Sequence, residues 1–320
     1  MSTEESGPSG QADPMTARAP DTGAPPPPST ADLPAALELP QPTALVGVAG
    51  TPPAGAPWPT VAPPARLAPG IADRLRDRRP ALFLDYDGTL TPIVSRPELA
   101  RLAPETREAV RALATAGHPV AVVSGRDLDD VRALVNLPQL VYAGSHGFDI
   151  AGPGGLRLQH PEALRLLPHL DGAQDLLAAR LAGVPGVQIE RKRFSLAVHY
   201  RQVAPGNIPA LEQAVAEAAH PGLRRAGGKM VFELQPALDW HKGRAVEWVL
   251  DSLDLNRPQI LPLYLGDDLT DEDAFRALQG RGLGIVVRDQ PPRPTAADYA
   301  LADPAEVRLF LEALARVWPG

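Results

Sequence analysis

Ala81-Leu82-Phe83-Leu84-Asp85-Tyr86-Asp87-Gly88-Thr89-Leu90 is the stretch on which the fold turns. Four apolar residues run unbroken into two aspartates, a glycine and a hydroxyl, the pattern of a buried strand feeding a loop. Downstream, Pro104-Glu105-Thr106 opens a helical spacing over about 105–116 that Gly117 closes. A second apolar strand follows from Pro119 to Val123, a helix over about 127–135, and a third strand from Leu140 to Ala143. Strands alternating with helices imply a parallel sheet. In such a sheet ligands bind beyond the carboxyl ends of the strands, and Asp85 falls at one of them.

After Gly155 the texture changes. Helical spacing over about 166–181, strands near 187–190 and 194–200, a helix over about 208–219 and strands near 223–226 and 230–234 predict an antiparallel sheet with helices on one face. Gly227-Gly228 is read as the tight turn of the last hairpin. From His241 the first texture returns: a helix to about 252, a strand near 260–265, a helix from 271, a strand near 283–287 and a last helix over about 305–317. The expected fold is therefore α/β, a Rossmann-like parallel core over 71–155 and 237–320 interrupted by an α+β cap over 156–236. Residues 1–70 hold 17 of the 38 prolines. Such a stretch buries too little apolar surface to offset the entropy of ordering, and a disordered arm is expected there.

Composition narrows the chemistry. The 320 residues include no cysteine, which removes disulfides and thiolate metal ligands. The formal charge of −7 and the lack of a basic cluster argue against nucleic acid as a partner. No run of about 20 apolar residues offers a membrane span. The start Met1-Ser2-Thr3-Glu4-Glu5 lacks the form of a secretory signal. A soluble cytoplasmic protein, acting as a monomer on a small phosphorylated metabolite, is the expectation.

Asp85 and Asp87 are two carboxylates two residues apart, and carboxylates aimed at one point repel unless a cation lies between them. An oxygen-rich site without thiolates suits magnesium. Taken alone, Asp-x-Asp-Gly also describes an ordinary turn. Gly266-Asp267-Asp268 and Asp271 bring further carboxylates to the same sheet edge, although Asp271 also suits a helix start. Ser124-Gly125-Arg126 ends the second strand with a hydroxyl that could meet a phosphate oxygen or simply cap a helix. Lys242 begins the helix that re-enters the core, where it could neutralise phosphate or lie solvated at the surface.

Asp85-Tyr86-Asp87-Gly88-Thr89, Ser124, Lys242 and Gly266-Asp267-Asp268 occur in the order of the four motifs of the haloacid dehalogenase-like phosphatases, and the chain resembles that superfamily over about 79–318. Within it, Gly266 to Phe275, Ala143-Gly144-Ser145-His146-Gly147, Glu190-Arg191-Lys192 with Ser195 to Tyr200, and Gly228 to Glu233 ahead of Pro236 resemble the trehalose-6-phosphate phosphatases. The resemblance implies a haloacid dehalogenase-type core and hydrolysis of trehalose 6-phosphate. In it Asp85 is the nucleophile and Asp87 the acid and base, with Ser124 and Lys242 on the phosphoryl oxygens. Gly88, Thr89, Gly125 and Arg126 would border the phosphate. It also implies Mg2+ held around Asp85, Asp87 and Asp267, with Asp268 or Asp271 near or behind it. Glu190, Lys192, Lys229 and Glu233 would meet the sugar, and His146 could reach the site. Another sugar phosphate, such as sucrose phosphate or a glycosylglycerate phosphate, would suit the same chemistry. A catalytically silent sugar-phosphate sensor is the alternative of a different class.

Overall fold

The computed structural model describes residues 46–47, 69–94, 96, 99–228, 230–288 and 294–317. Apart from Val46–Gly47, Pro69 and Gly70, the expected arm lies outside the described residues, as does Lys229. In chain order the elements are β1 (Val46–Gly47), α1 (Pro69–Leu75), β2 (Arg79–Leu84), α2 (Pro104–Thr115), β3 (Val120–Val123), α3 (Leu128–Val135), β4 (Val141–Gly144), β5 (Asp149–Ala151), β6 (Arg157–Gln159) and α4 (Pro161–Arg165). There follow α5 (Leu167–Leu181), β7 (Gln188–Lys192), β8 (Ser195–His199), α6 (Ile208–Ala218), β9 (Leu223–Gly228) and β10 (Val231–Pro236). The chain closes with α7 (Lys242–Ser252), β11 (Ile260–Gly266), α8 (Glu272–Leu278), β12 (Leu283–Val287), β13 (Tyr299–Leu301) and α9 (Pro304–Val317).

One sheet has the order β1-β13-β12-β11-β2-β3-β4-β5-β6. It is parallel from β13 to β4 and antiparallel at its edges. The apolar run of β2 is unbroken because both faces are covered. Leu82 and Leu84 pack with α1, α2, α3 and α9, while Ala81 and Phe83 pack with α7 and α8. From β2 the chain winds outward through β3 to β4 on one side, and returns later to build β11, β12 and β13 on the other. Asp85, one residue beyond β2, therefore stands at the reversal of strand order, where the crevice of such sheets opens.

The second sheet, β7-β8-β10-β9, is antiparallel. Leu196, Val198, Phe232 and Leu234 take one face and meet the apolar stripes of α5 (Leu170, Ala173, Leu177, Leu181) and α6 (Leu211, Ala214, Val215, Ala218). The period of two sends Glu190, Lys192, Ser195, His199 and Glu233 to the other face. The chain enters this layer after His160 and leaves it before Trp240, and these two rings lie 4.9 Å apart. Phe148 joins them at 5.8 and 6.5 Å and stacks on Phe194 at 5.7 Å.

Two local expectations are corrected. The lid does not begin at 156, because Arg157–Gln159 pairs with β5 in the large sheet. The hairpin β5–β6 has strands too short for a periodic signal, separated by Gly152-Pro153-Gly154-Gly155. Gly227-Gly228 is not the turn of the lid hairpin: β9 continues through both, and Gly228 pairs with Val231. Among the described residues, no helix is long and apolar enough to cross a membrane.

Candidate active site

Asp85 is fixed by its backbone, whose N–H donates to the Leu265 carbonyl of the neighbouring strand at 2.9 Å. The loop then folds on itself. Leu90 and Thr91 N–H donate to the Tyr86 carbonyl at 3.0 Å each, and Gly88 N–H donates to the Thr91 carbonyl at 2.8 Å. Gly88 has φ +85°, and a Cβ there would come 2.2 Å from Asp267 Oδ2. Only glycine permits both that backbone and that approach.

Lys242, the first residue of α7, is buried with its Nζ 2.7 Å from Asp85 Oδ1 and 2.7 Å from Asp271 Oδ1. Asp271 also accepts the Tyr264 hydroxyl at 2.6 Å and the Asp268 N–H at 2.9 Å. Oxygens of Asp85, Asp267 and Asp271 lie within 4.8 Å of one another, and all three residues are buried. Burial pushes the Asp85 carboxyl well above the ordinary range; Lys242 pulls it back, and Asp271 and Asp267 push it up again. Burial alone would lower Lys242, but Asp271 and Asp85 together hold it above its ordinary value. Three carboxylates are thus gathered at one point, two of them bonded to the Lys242 ammonium, an all-oxygen set that suits a hard cation.

Asp87 points elsewhere. Its two oxygens receive Arg126 Nη2 at 2.8 Å and Nε at 2.7 Å, a paired fork. Arg126 also reaches Asp130 at 3.0 Å and lies 5.3 Å over the Tyr86 ring. The Ser124 hydroxyl accepts the Arg126 N–H at 3.1 Å. Thr89 is buried without a hydrogen-bond partner for its hydroxyl among the described residues. Asp268 is turned away from the carboxylate cluster: its Oδ1 accepts Leu269 N–H at 2.7 Å and caps the short turn ahead of α8.

A cavity of about 440 Å³ lies between the two sheets. Asp85, Asp87, Ser124, Gly125, Arg126, Lys242, Asp267 and Asp268 line its core side, and Glu190, Lys192, His199 and Glu233 its lid side, with His146 between. Glu190 meets His199 Nε2 at 2.8 Å, a bond that holds its carboxyl below the ordinary range. Glu233 accepts the Ser195 hydroxyl at 2.6 Å and lies 3.8 Å from Lys192 Nζ and 4.0 Å from His146 Nε2. Burial lowers His146 to about 4 against the pull of Glu233. Burial would raise Glu233, but His146, Lys192 and the Ser195 hydroxyl hold it below its ordinary range. Gly88 and Thr89 sit under the floor, and Asp271 sits behind Lys242. Sequence reasoning missed Tyr264, although a tyrosine inside an apolar strand signals a hydroxyl in need of a buried partner. It also gave no role to Asp127 or Asp130.

A family model described as trehalose-phosphatase matches residues 83–305. The chain belongs to the trehalose-phosphatase family. A curated trehalose-phosphate phosphatase of Mycobacterium tuberculosis is 47% identical to this family member over 259 residues, covering 79% of the present chain and 66% of the relative. The chain thus spans just under two thirds of that relative's length. A solved structure described as a trehalose-6-phosphate phosphatase related protein matches with a TM-score of 0.64 at 26% identity, over 74% of this chain and 97% of the other. A haloacid dehalogenase-like hydrolase from Bacteroides thetaiotaomicron matches at a TM-score of 0.54 and 14% identity, over 75% of this chain and 99% of the other. That likeness concerns the fold alone: the trehalose-phosphatase chain has the haloacid dehalogenase-type core.

Proposed function

We propose that the chain hydrolyses trehalose 6-phosphate to trehalose and phosphate through an aspartyl-phosphate intermediate, with Mg2+ bound. The observation that carries this reading is the single cavity that has the Asp85–Lys242 pair in its floor and Glu190, Lys192 and Glu233 in its roof. Its volume suits a small ligand of disaccharide size. A core over about 71–160 and 237–317, with a lid from about 161 to 236, forms part of the same proposal.

Lys242 grips Asp85 Oδ1, and Oδ2 is the oxygen assigned to the attack on phosphorus. Arg126 holds Asp87 in the paired fork, turned from the leaving oxygen. A phosphate dianion offers the guanidinium a stronger paired partner, so its arrival releases Asp87 toward the leaving oxygen. Once free of Arg126, Asp87 carries a proton taken from solvent, gives it to the departing sugar oxygen as the P–O bond breaks, and regains one from the water that cleaves the acyl phosphate. Ser124 and Lys242 bind the transferred oxygens. On the lid, carboxylates and ammonium in alternation supply acceptors and donors for sugar hydroxyls. Asp85, Asp267 and the Asp87 carbonyl would hold Mg2+, since the donors are all oxygen and the buried carboxylates outnumber the one buried ammonium. The ion would offset the repulsion between phosphate and carboxylate. Asp271 has its oxygens engaged by Lys242, Tyr264 and the Asp268 N–H, and so is assigned to hold Lys242 in place.

Two measurements test this. In a panel of sugar phosphates with Mg2+, trehalose 6-phosphate is expected to exceed glucose 6-phosphate in kcat/KM by about 100-fold, because loss of the second ring leaves lid polar groups unpaired. A better rate on sucrose phosphate or a glycosylglycerate phosphate would refute the substrate. Separately, Mg2+ at about 100 times its Kd is expected to stabilise the fold by about 2.7 kcal/mol in thermal melts. Asp267→Ala should erase that shift, and a shift that persisted in the variant would place the ion elsewhere.

A further inference from the structure

Asp127 occupies the N-cap position of α3, with the extended backbone (φ −61°, ψ 150°) of a capping residue, yet its side chain makes no capping hydrogen bond. Aspartate at this position ordinarily accepts an N–H of its own helix. Both of its oxygens are engaged outside α3 instead. Oδ1 and Oδ2 receive the backbone N–H of Arg193 at 3.0 and 2.9 Å, and Oδ1 also receives the Ser145 hydroxyl at 2.8 Å.

Arg193 lies in the turn between β7 and β8, directly after Lys192. The turn meets the core at two more points. The Arg193 guanidinium reaches Asp149 Oδ2 at 3.3 Å, a buried carboxylate that also pairs with Arg157 at 2.9 Å. Phe194, fully buried, stacks on Phe148. Asp127 is the member of this set that joins the lid to the reacting groups. It follows Arg126, which holds Asp87, and its Ser145 partner precedes His146, which faces Glu233.

We propose that Asp127 is a positioning residue: it docks the lid turn onto the loop that carries Arg126 and so sets the distance of Lys192 and Glu233 from Asp85. This rests on the sugar-phosphate reading of the cavity. A carboxylate accepting a main-chain N–H is a strong, directional contact that survives exchange of surface side chains. Small misplacements of a binding group at a reacting centre have large rate effects.

The test compares wild type with Asp127→Ala and Asp127→Ser on trehalose 6-phosphate and on p-nitrophenyl phosphate, which has no sugar for the lid to hold. Asp127→Ala is expected to lower kcat/KM for the sugar phosphate by about 10- to 100-fold, mostly through KM, and to change the aryl phosphate rate by less than about threefold. Serine is a good helix cap but is too short to reach Arg193, so Asp127→Ser should behave like the alanine variant. Wild-type kinetics in Asp127→Ser would mean a capping role, and equal losses on both substrates would mean a general structural one. Either result overturns the proposal. Hydrogen exchange of the Arg193 amide supplies a readout that does not depend on substrate. It is expected to quicken at least about tenfold in Asp127→Ala, and unchanged exchange would refute the docking even if the variant were less active. A wild type that ignores trehalose 6-phosphate while its Arg193 amide stays protected would instead sink the substrate assignment and leave the docking standing.

Discussion

Asp85→Asn is expected to abolish turnover, lowering kcat by about 10,000-fold or more, while the chain stays folded. The amide cannot form the acyl phosphate, and Asp271, the other carboxylate beside Lys242, has its oxygens engaged by Lys242, Tyr264 and the Asp268 N–H. Stability should hold because the substitution removes one of three converging carboxylates and leaves Lys242 its bond to Asp271. The native Asp85 carboxyl is already pushed toward its neutral form by burial. A neutral isostere therefore relieves repulsion in the absence of a cation. Intact-mass measurement after mixing with substrate should show no phosphoryl adduct on the variant, and its melting temperature without Mg2+ should be no lower than that of wild type. Retention of more than about one hundredth of the wild-type rate would remove Asp85 from the role of nucleophile.

Lys242→Met carries the second large effect, and it falls on stability as well as rate. The ammonium is the cation between Asp85 and Asp271, and all three groups are buried. Taking one partner from a buried ion pair costs about 3–5 kcal/mol, since the remaining charges have neither water nor a counter-ion. Urea denaturation at pH 7 should display that loss, and Mg2+ should recover part of it. The pH dependence has a definite sign. Without Lys242 the folded Asp85 carboxyl rises further above its unfolded value of about 4, so the folded state binds protons more tightly than the unfolded one. The gap to wild type should therefore narrow as pH falls from 7 toward 5. A gap that widened on acidification would show that the buried carboxylates are not the source of the instability.

The layers of this fold were legible because their signals are short-ranged. Ala81 to Leu84, Pro119 to Val123 and Leu283 to Val287 are unbroken apolar runs, which a strand covered on both faces requires. The stripe Leu170, Ala173, Leu177 and Leu181 identifies the lid helix by spacing alone. Edge pieces were not legible: β5, β6 and β13 have three residues each, too few to establish a period. The candidate site divides in the same way. That Asp85, Ser124 and Asp267 reach one sheet edge follows from each lying just after a strand, or at most one residue beyond it. What each side chain does next depends on partners distant in the chain. Asp271 reads as a helix-start residue or a metal ligand, and its role as the support of Lys242 requires knowing that position 242 stands beside it. Asp127 only opens the helix expected over about 127–135, and nothing near it in sequence tells of Arg193. Arg126 and Asp87 are 39 residues apart, and their paired fork exists only once β2 and β3 are neighbours.

The meeting of His160 with Trp240 has a consequence for how such an enzyme diversifies. The inserted layer leaves the parent sheet and rejoins it at a single aromatic knot, so its two ends are neighbours in space although about 80 residues separate them in sequence. An insertion with adjoining ends is topologically a long loop, and exchanging it leaves strand order, the Asp85 crevice and Lys242 untouched. The two faces of the cavity thereby belong to separate stretches of the chain, the Asp85 face to the large sheet and the Glu190 and Glu233 face to the inserted one. One contiguous stretch of chain thus builds a whole wall of the cavity.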